Sequence, residues 1–221
     1  FKKEENISKI NIISRNFYNP NLDNFWWIVP SLFGSISMVV AMLLTALSIA
    51  REKELGTFEQ ILVSPLNSFE ILLGKLLPAL IISIVESSFI LFIAIFLFGV
   101  PLNGSIWLLY LSVIVFLFSM SGIGLFISSI SNTQQQAILG SFVVMLPSFL
   151  LSGFATPISN MPSWLQPFTD LIPLKYYLEL IKGVFLKDIS FDIALNNLTS
   201  MFLFGVISLY GTIQFFKNKR S

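Results

Sequence analysis

The chain contains no cysteine and no histidine. Those absences exclude disulfides, thiolate nucleophiles, Cys/His zinc sites, histidine-ligated haem and Ser–His catalysis. No GxxxxGK[ST] run occurs, so the chain carries no P-loop of its own. Charge is also scarce. Thirteen Lys or Arg and 12 Asp or Glu make up 11% of the 221 residues, against about 25% in an ordinary soluble domain. The net charge is +1, with no basic patch of the size a nucleic-acid partner requires.

What is present is apolar. Hydrophobic residues make up 55% of the chain, and Phe alone occupies 23 positions. No Asp, Glu, Lys or Arg occurs from Asn24 through Ala50, from Ser87 through Thr169, or from Ile193 through Phe216. Apolar stretches of about 20 residues with few charges read as membrane-spanning helices. The expected fold is therefore an all-α integral membrane protein with about five transmembrane helices. They fall at about 26–50, 76–98, 106–130, 137–151 and 197–216, within a transmembrane domain over 25–217. Residues 1–24 are polar and read as the end of an extracytoplasmic segment, with partial strand alternation over Ile7–Ile13. Residues 218–221 form a short tail.

The connectors carry most of the local signals. Residues 51–75 are charged and turn-rich. Thr57-Phe58-Glu59-Gln60 matches a capping box, and Pro65 stops the short helix it would start. Leu55, Phe58 and Leu62 fall on one face of that helix. Asn67 and Glu70 give a second capping signal for a helix running from about Ser68 to Phe98. At about 45 Å this helix exceeds the ~30 Å hydrocarbon core, so its start lies outside the core or along it. Residues 153–188 carry Pro157, Pro162, Pro167 and Pro173 among aromatics. That density forbids one straight helix, and short interfacial or re-entrant helices are expected. Ser121-Gly122-Ile123-Gly124 reads as close helix packing, and Ser131 to Gln136 as an uncharged turn.

Glu86 lies mid-span, where an ionised carboxylate is costly. It is read as a polar contact on a transport path, a proton-linked group, or a hydrogen bond across a helix or dimer interface. No internal repeat of the transporter kind is present. With residue 1 outside, Arg51, Lys53, Lys75, Lys217, Lys219 and Arg220 fall on the cytoplasmic side. Lys175, Lys182 and Lys187 fall on the other, with Arg15 and three Lys farther out on the N-terminal segment; counted close to the spans, the balance favours an N-terminus outside and a C-terminus in the cytoplasm.

The connector also carries an ordered motif: Glu52, Lys53, Glu54, Gly56, Thr57, Glu59, Gln60, Ile61, Val63, Ser64 and Pro65, then Glu70-Ile71-Leu72-Leu73-Gly74-Lys75. It resembles the signature of the type-2 ABC export permeases, E-K-E-x-G-T-x-E-Q-[IL]-x-V-[ST]-P followed by E-x-[IL]-[IL]-G-K. Pro157, Met161, Pro162, Trp164, Leu165, Pro173, Tyr176, Gly183 and Lys187 match the same family's stretch before its last span. The resemblance implies a permease that does no bond chemistry and is not itself an enzyme. Its 51–75 connector is a coupling helix docking on a separate ATP-binding cassette subunit, through Glu52, Glu54, Gly56, Thr57, Glu59, Gln60 and Pro65. ATP and Mg are bound by that partner, with no cofactor in this chain.

A second permease subunit, identical or different, completes the assembly. The implied cargo is a drug, lipid, peptide or polymer moved out of the cell. The implied location is a bacterial cell membrane, in keeping with the Phe-, Ile- and Asn-rich composition. Family members carry a further span and an extracytoplasmic domain before the Tyr18-Asn19-Pro20 region, so residues 1–24 are expected to end that domain. The alternatives are a stand-alone ion-coupled transporter and a non-transport membrane scaffold.

Overall fold

The computed structural model describes residues 24–187 and 189–220. The side chains of Asn24, Trp27, Leu62, Lys219 and Arg220 fall outside this description. The expected strand over Ile7–Ile13 and the extracytoplasmic segment up to residue 23 also lie outside it. Among the described residues all regular structure is helical, and five helices are long and apolar enough to cross a membrane. The protein is an all-α, multi-pass membrane protein, as the hydropathy pattern requires.

The first long helix, α1, covers Asn24–Glu54 and is followed by the short α2, Phe58–Leu62. Helix α3 covers Ser68–Phe96, α4 Ile106–Ile130 and α5 Gln134–Leu151. Two 3-10 turns, Ile158–Asn160 and Gln166–Leu171, lead into α6, Pro173–Lys187. The last helix, α7, covers Phe191–Arg220. Helix α1 continues past the expected span end at residue 50. Arg51 and Lys53 in its last turn face the negative end of the helix dipole, which favours cations there. Helix α7 begins earlier than the expected span, where the Ala194 N–H bonds to the Ser190 carbonyl and Asp192 occupies the first turn.

Helix α4 is the hub. Leu109, Val113, Phe116, Leu117 and Leu125 on it are buried, and α1 and α7 pack along two of its sides. The crossings run through small residues. A Cβ on Gly122 would stand 3.1 Å from the Gly205 carbonyl of α7, and one on Gly124 would stand 2.6 Å from the Met42 carbonyl of α1. Ser128 on α4 accepts the Ile49 and Ala50 N–H groups of α1 at 3.0 and 2.9 Å. In lipid, helix association depends on such close packing and cross-helix hydrogen bonds, because the tails are as apolar as the side chains.

Helix α6 is amphipathic and inserts between the others. Its Tyr177 ring stacks on Phe116 with centroids 4.0 Å apart and planes 4° apart. The α3–α4 turn is fastened to its C-terminal end. Asn103 and Gly104 donate their N–H groups to the Phe185 and Val184 carbonyls at 3.1 and 2.9 Å. A Cβ on Gly104 would come within 2.7 Å of that Val184 oxygen, so the close approach needs glycine.

Candidate functional site

The candidate site is the α1–α2–α3 connector. Helix α1 ends in a Schellman arrangement. The Thr57 N–H bonds to the Glu52 carbonyl at 3.0 Å, and the Gly56 N–H to the Lys53 carbonyl at 3.2 Å. Gly56 sits between them at φ +74°, the left-handed region. Nothing lies within 4 Å of a Cβ placed there, so an added side chain meets conformational strain rather than a clash. Gly56→Ala is expected to cost about 1 kcal/mol. That lowers the melting midpoint by about 2–4 °C, measurable by size exclusion after stepwise heating. An unchanged midpoint would show that the turn does not need this conformation.

The capping box expected at Thr57 does not form. Thr57 already serves as the residue after the α1 terminus, and its backbone is helical (φ −86°, ψ −8°) rather than extended. Its hydroxyl donates to the Glu52 carbonyl at 3.3 Å instead. The second signal holds: the Asn67 N–H donates to Glu70 Oε2 at 2.7 Å.

Helix α2 has five residues, too short to be stable by itself in water. Phe58 anchors it. This ring is 6% exposed, packs with Ile49, Ile71, Leu72, Leu76, Leu125 and Phe216, and meets Phe216 edge-on at 5.5 Å. Leu55, expected on the same face as Phe58, is 64% exposed. It belongs to the turn that ends α1, so the helical spacing does not extend to it. The side chain of Leu62 lies outside the described residues. Glu59, Gln60 and Pro65 are exposed, and Val63 is 85% exposed. The outer surface of the connector thus mixes apolar and polar groups, with Phe58 turned inward and Phe69 exposed.

Glu52 and Glu54 turn toward the helices. Glu52 is paired with Lys75 of α3. The Glu54 carboxylate accepts the Gln134 N–H, at the start of α5, at 2.8 Å. Lys53, between them, donates to the Ser129 and Ser131 carbonyls at the end of α4, the latter at 2.9 Å. Its ammonium also lies 5.5 Å from the Phe58 ring centroid and 5.2 Å from that of Phe215 on α7. The sequence names Lys53 in the motif, Phe58 on the face of the short helix and Gln134 in the uncharged turn, but gives no sign that these distant segments meet. A cation in the last turn of α1 was a visible local signal. So was Thr133 three residues before Gln136, where Thr133 Oγ1 accepts the Gln136 N–H at 3.2 Å.

Glu86 is not part of this group. It lies eleven residues beyond Lys75 on α3, about 16 Å along the axis. It is half-buried and accepts from Ser87 Oγ at 3.5 Å. Ser87 Oγ in turn meets Ser37 Oγ of α1 at 2.9 Å. Glu86 Oε1 is buried without a hydrogen-bond partner among the described residues.

Away from the connector, α1, α5 and the turn after α5 line a largely open cavity of about 380 Å³. It is lined by Leu32, Ser35, Ile36, Val39, Phe149 and Phe154, none of them ionisable. Among the described residues no cluster of three acidic side chains suited to a metal ion occurs.

Comparison with known proteins places this architecture. The ABC-2 type transporter family profile matches residues 7–186. The probable multidrug ABC transporter permease YbhR of Escherichia coli (strain K12) is 45% identical over 187 residues, covering 85% of this chain and 51% of that protein. YbhS of the same strain, also a probable multidrug ABC transporter permease, is 34% identical over 80% of this chain and 47% of its own length. The inner membrane transport permease YhhJ of that strain is 31% identical over 89% and 53%. The chain spans about half the length of these curated relatives. With a family match covering most of its residues and a connector motif in the family's order, the chain belongs to the ABC-2 type transporter family.

Proposed function

We propose that this chain forms the membrane-spanning part of a permease subunit of an ABC exporter. The observation that carries the reading is the connector. A short helix is held by a buried Phe58 and presents Glu59, Gln60 and Val63 to the solvent. A separate ATP-binding cassette subunit, holding the ATP and Mg, docks on that surface. Gly56, Thr57 and Pro65 shape the surface, and Glu52 and Glu54 carry its movement inward. ATP binding by the partner supplies the differential free energy that shifts the permease between two states. The permease itself makes and breaks no bonds.

The named relatives support a multidrug-type cargo, and the uncharged cavity between α1 and α5 fits a hydrophobic or amphipathic one. A second permease subunit pairs with this one in a bacterial cell membrane. The N-terminus is outside, and the connector and C-terminus are in the cytoplasm. Residues 153–188 lie at the outer face. Glu86 acts as an interhelix contact, joined through Ser87 to Ser37 of α1.

The test is co-elution in mild detergent of the full-length permease with the ATP-binding subunit encoded beside it. The parent is expected to retain the partner, and Glu59→Arg combined with Gln60→Ala to lose it. Absence of the partner from the parent would defeat the reading.

A further inference from the structure

Lys53 and Glu54 are adjacent, opposite in charge, and bound to opposite ends of two consecutive helices. Lys53 donates to the Ser129 and Ser131 carbonyls, at the negative end of α4. Glu54 accepts the Gln134 N–H, at the positive end of α5. Both contacts match the helix dipoles. The turn between them, Ser131-Asn132-Thr133, carries no charge of its own. The pair sits in the last turn of α1, one Schellman turn before α2.

We propose that Lys53 and Glu54 clamp the α4–α5 turn, so that the connector and the start of α5 move as one body. They are positioning residues: neither needs to touch the ATP-binding subunit or the cargo. The inference rests on the permease reading above, because it is the partner's movement that the clamp conveys. Its direction follows from the fold. Helix α1 lines the apolar cavity with Leu32, Ser35, Ile36 and Val39, and α5 runs from Glu54's contact at Gln134 to Phe149 in the same wall. Glu52 and Lys75 tie α1 to α3, which contributes no residue to that wall. The Glu54 arm therefore joins the two helices that line the cavity.

The geometry supplies two independent ways to open the clamp. Glu54→Ala removes the acceptor. Gln134→Pro removes the donor alone. Gln134 is the first residue of α5, where proline is well tolerated. Thr133 before it is already extended, at φ −130° and ψ 157°, as a residue preceding proline must be.

The experiment uses the full-length permease with its ATP-binding subunit. Spin labels at Leu66→Cys, exposed and outside the residues assigned to docking, and at Gln135→Cys are diluted with unlabelled permease so that distances within one subunit are read. The 221 residues contain no cysteine to interfere. In the parent the distance distribution is expected to be the same without nucleotide and with ATP and vanadate. In Glu54→Ala and in Gln134→Pro it is expected to shift by several ångströms or broaden on adding ATP and vanadate. The double variant should go no further than either single one, since both remove the same contact. Co-elution of Gln134→Pro should stay within about twofold of the parent, because Gln134 begins α5 and lies outside the docking connector. A parental distribution that itself changes with nucleotide overturns the clamp, as do variants that keep the parental behaviour. If the parent binds no ATP-binding subunit, the permease reading fails and the clamp falls with it. If co-elution is intact and the distributions are unchanged in the variants, only the clamp fails.

Discussion

Gly124→Leu is expected to leave no monodisperse permease after detergent extraction. A Cβ alone at this position would stand 2.6 Å from the Met42 carbonyl and closer still to Thr45 Oγ1. Neither atom can yield. Met42 belongs to the backbone of α1, and its carbonyl accepts the Thr45 hydroxyl at 3.1 Å. Thr45 Oγ1 is also committed to the Ala41 carbonyl at 2.8 Å. Relief requires α1 and α4 to separate along their closest contact, where Ser128 accepts the Ile49 and Ala50 N–H groups. Overpacking in a core that can adjust costs about 1–3 kcal/mol. Here the adjustment also breaks buried hydrogen bonds, each loss leaving a polar group unsatisfied at about 1–3 kcal/mol. The sum is comparable with the whole stability of a typical domain, about 5–15 kcal/mol. Gly74 provides the control, as a Cβ there meets nothing within 4 Å. Gly74→Leu should elute as the parent does. A normal elution profile for Gly124→Leu would refute the packing account.

Phe58→Ala is the second large effect, and it separates docking from folding. Truncating a buried Phe costs about 3–5 kcal/mol. A five-residue helix has no comparable stability of its own. The substitution is therefore expected to release α2 while the long helices stay packed, since their central cluster around Phe116 and Tyr177 does not include Phe58. Co-elution with the ATP-binding subunit should fall at least tenfold, although Glu59 and Gln60 are intact. Amide exchange over 58–62 should rise toward that of an unstructured chain. Retained co-elution would mean that the partner does not need a formed α2.

The long helices were legible because lipid offers the backbone no hydrogen-bond partner. A spanning segment must then be an apolar helix, and hydropathy reports it directly. The connector was legible as a motif but less so as a structure. Thr57 and Gln60 satisfy a local capping pattern, yet Thr57 is drawn into the termination of the preceding helix, and a local pattern cannot say which helix claims a residue. Leu55 and Phe58 have helical spacing, but a left-handed Gly56 between them breaks the helix. The roles of Lys53 and Glu54 depend on Ser129 and Gln134, more than seventy residues away. No periodicity in one sequence encodes that pairing. Glu86 is the reverse case: its oddity was plain in the sequence, and its link through Ser87 to Ser37 needed the packing of α1 on α3.

The fastening of the α3–α4 turn to α6 also bears on the order in which the protein is made. The turn leaves the ribosome long before its partners at Val184 and Phe185. For that interval the Asn103 and Gly104 N–H groups have water as their partner, and the glycine meets no neighbour. The hairpin of α3 and α4 must therefore wait with this turn open. Only when the segment after α5 has been delivered to the same side does Val184 close over Gly104. The last helices to be synthesised thus complete a contact belonging to the first half of the chain, and biogenesis has a natural checkpoint at residues 184–186.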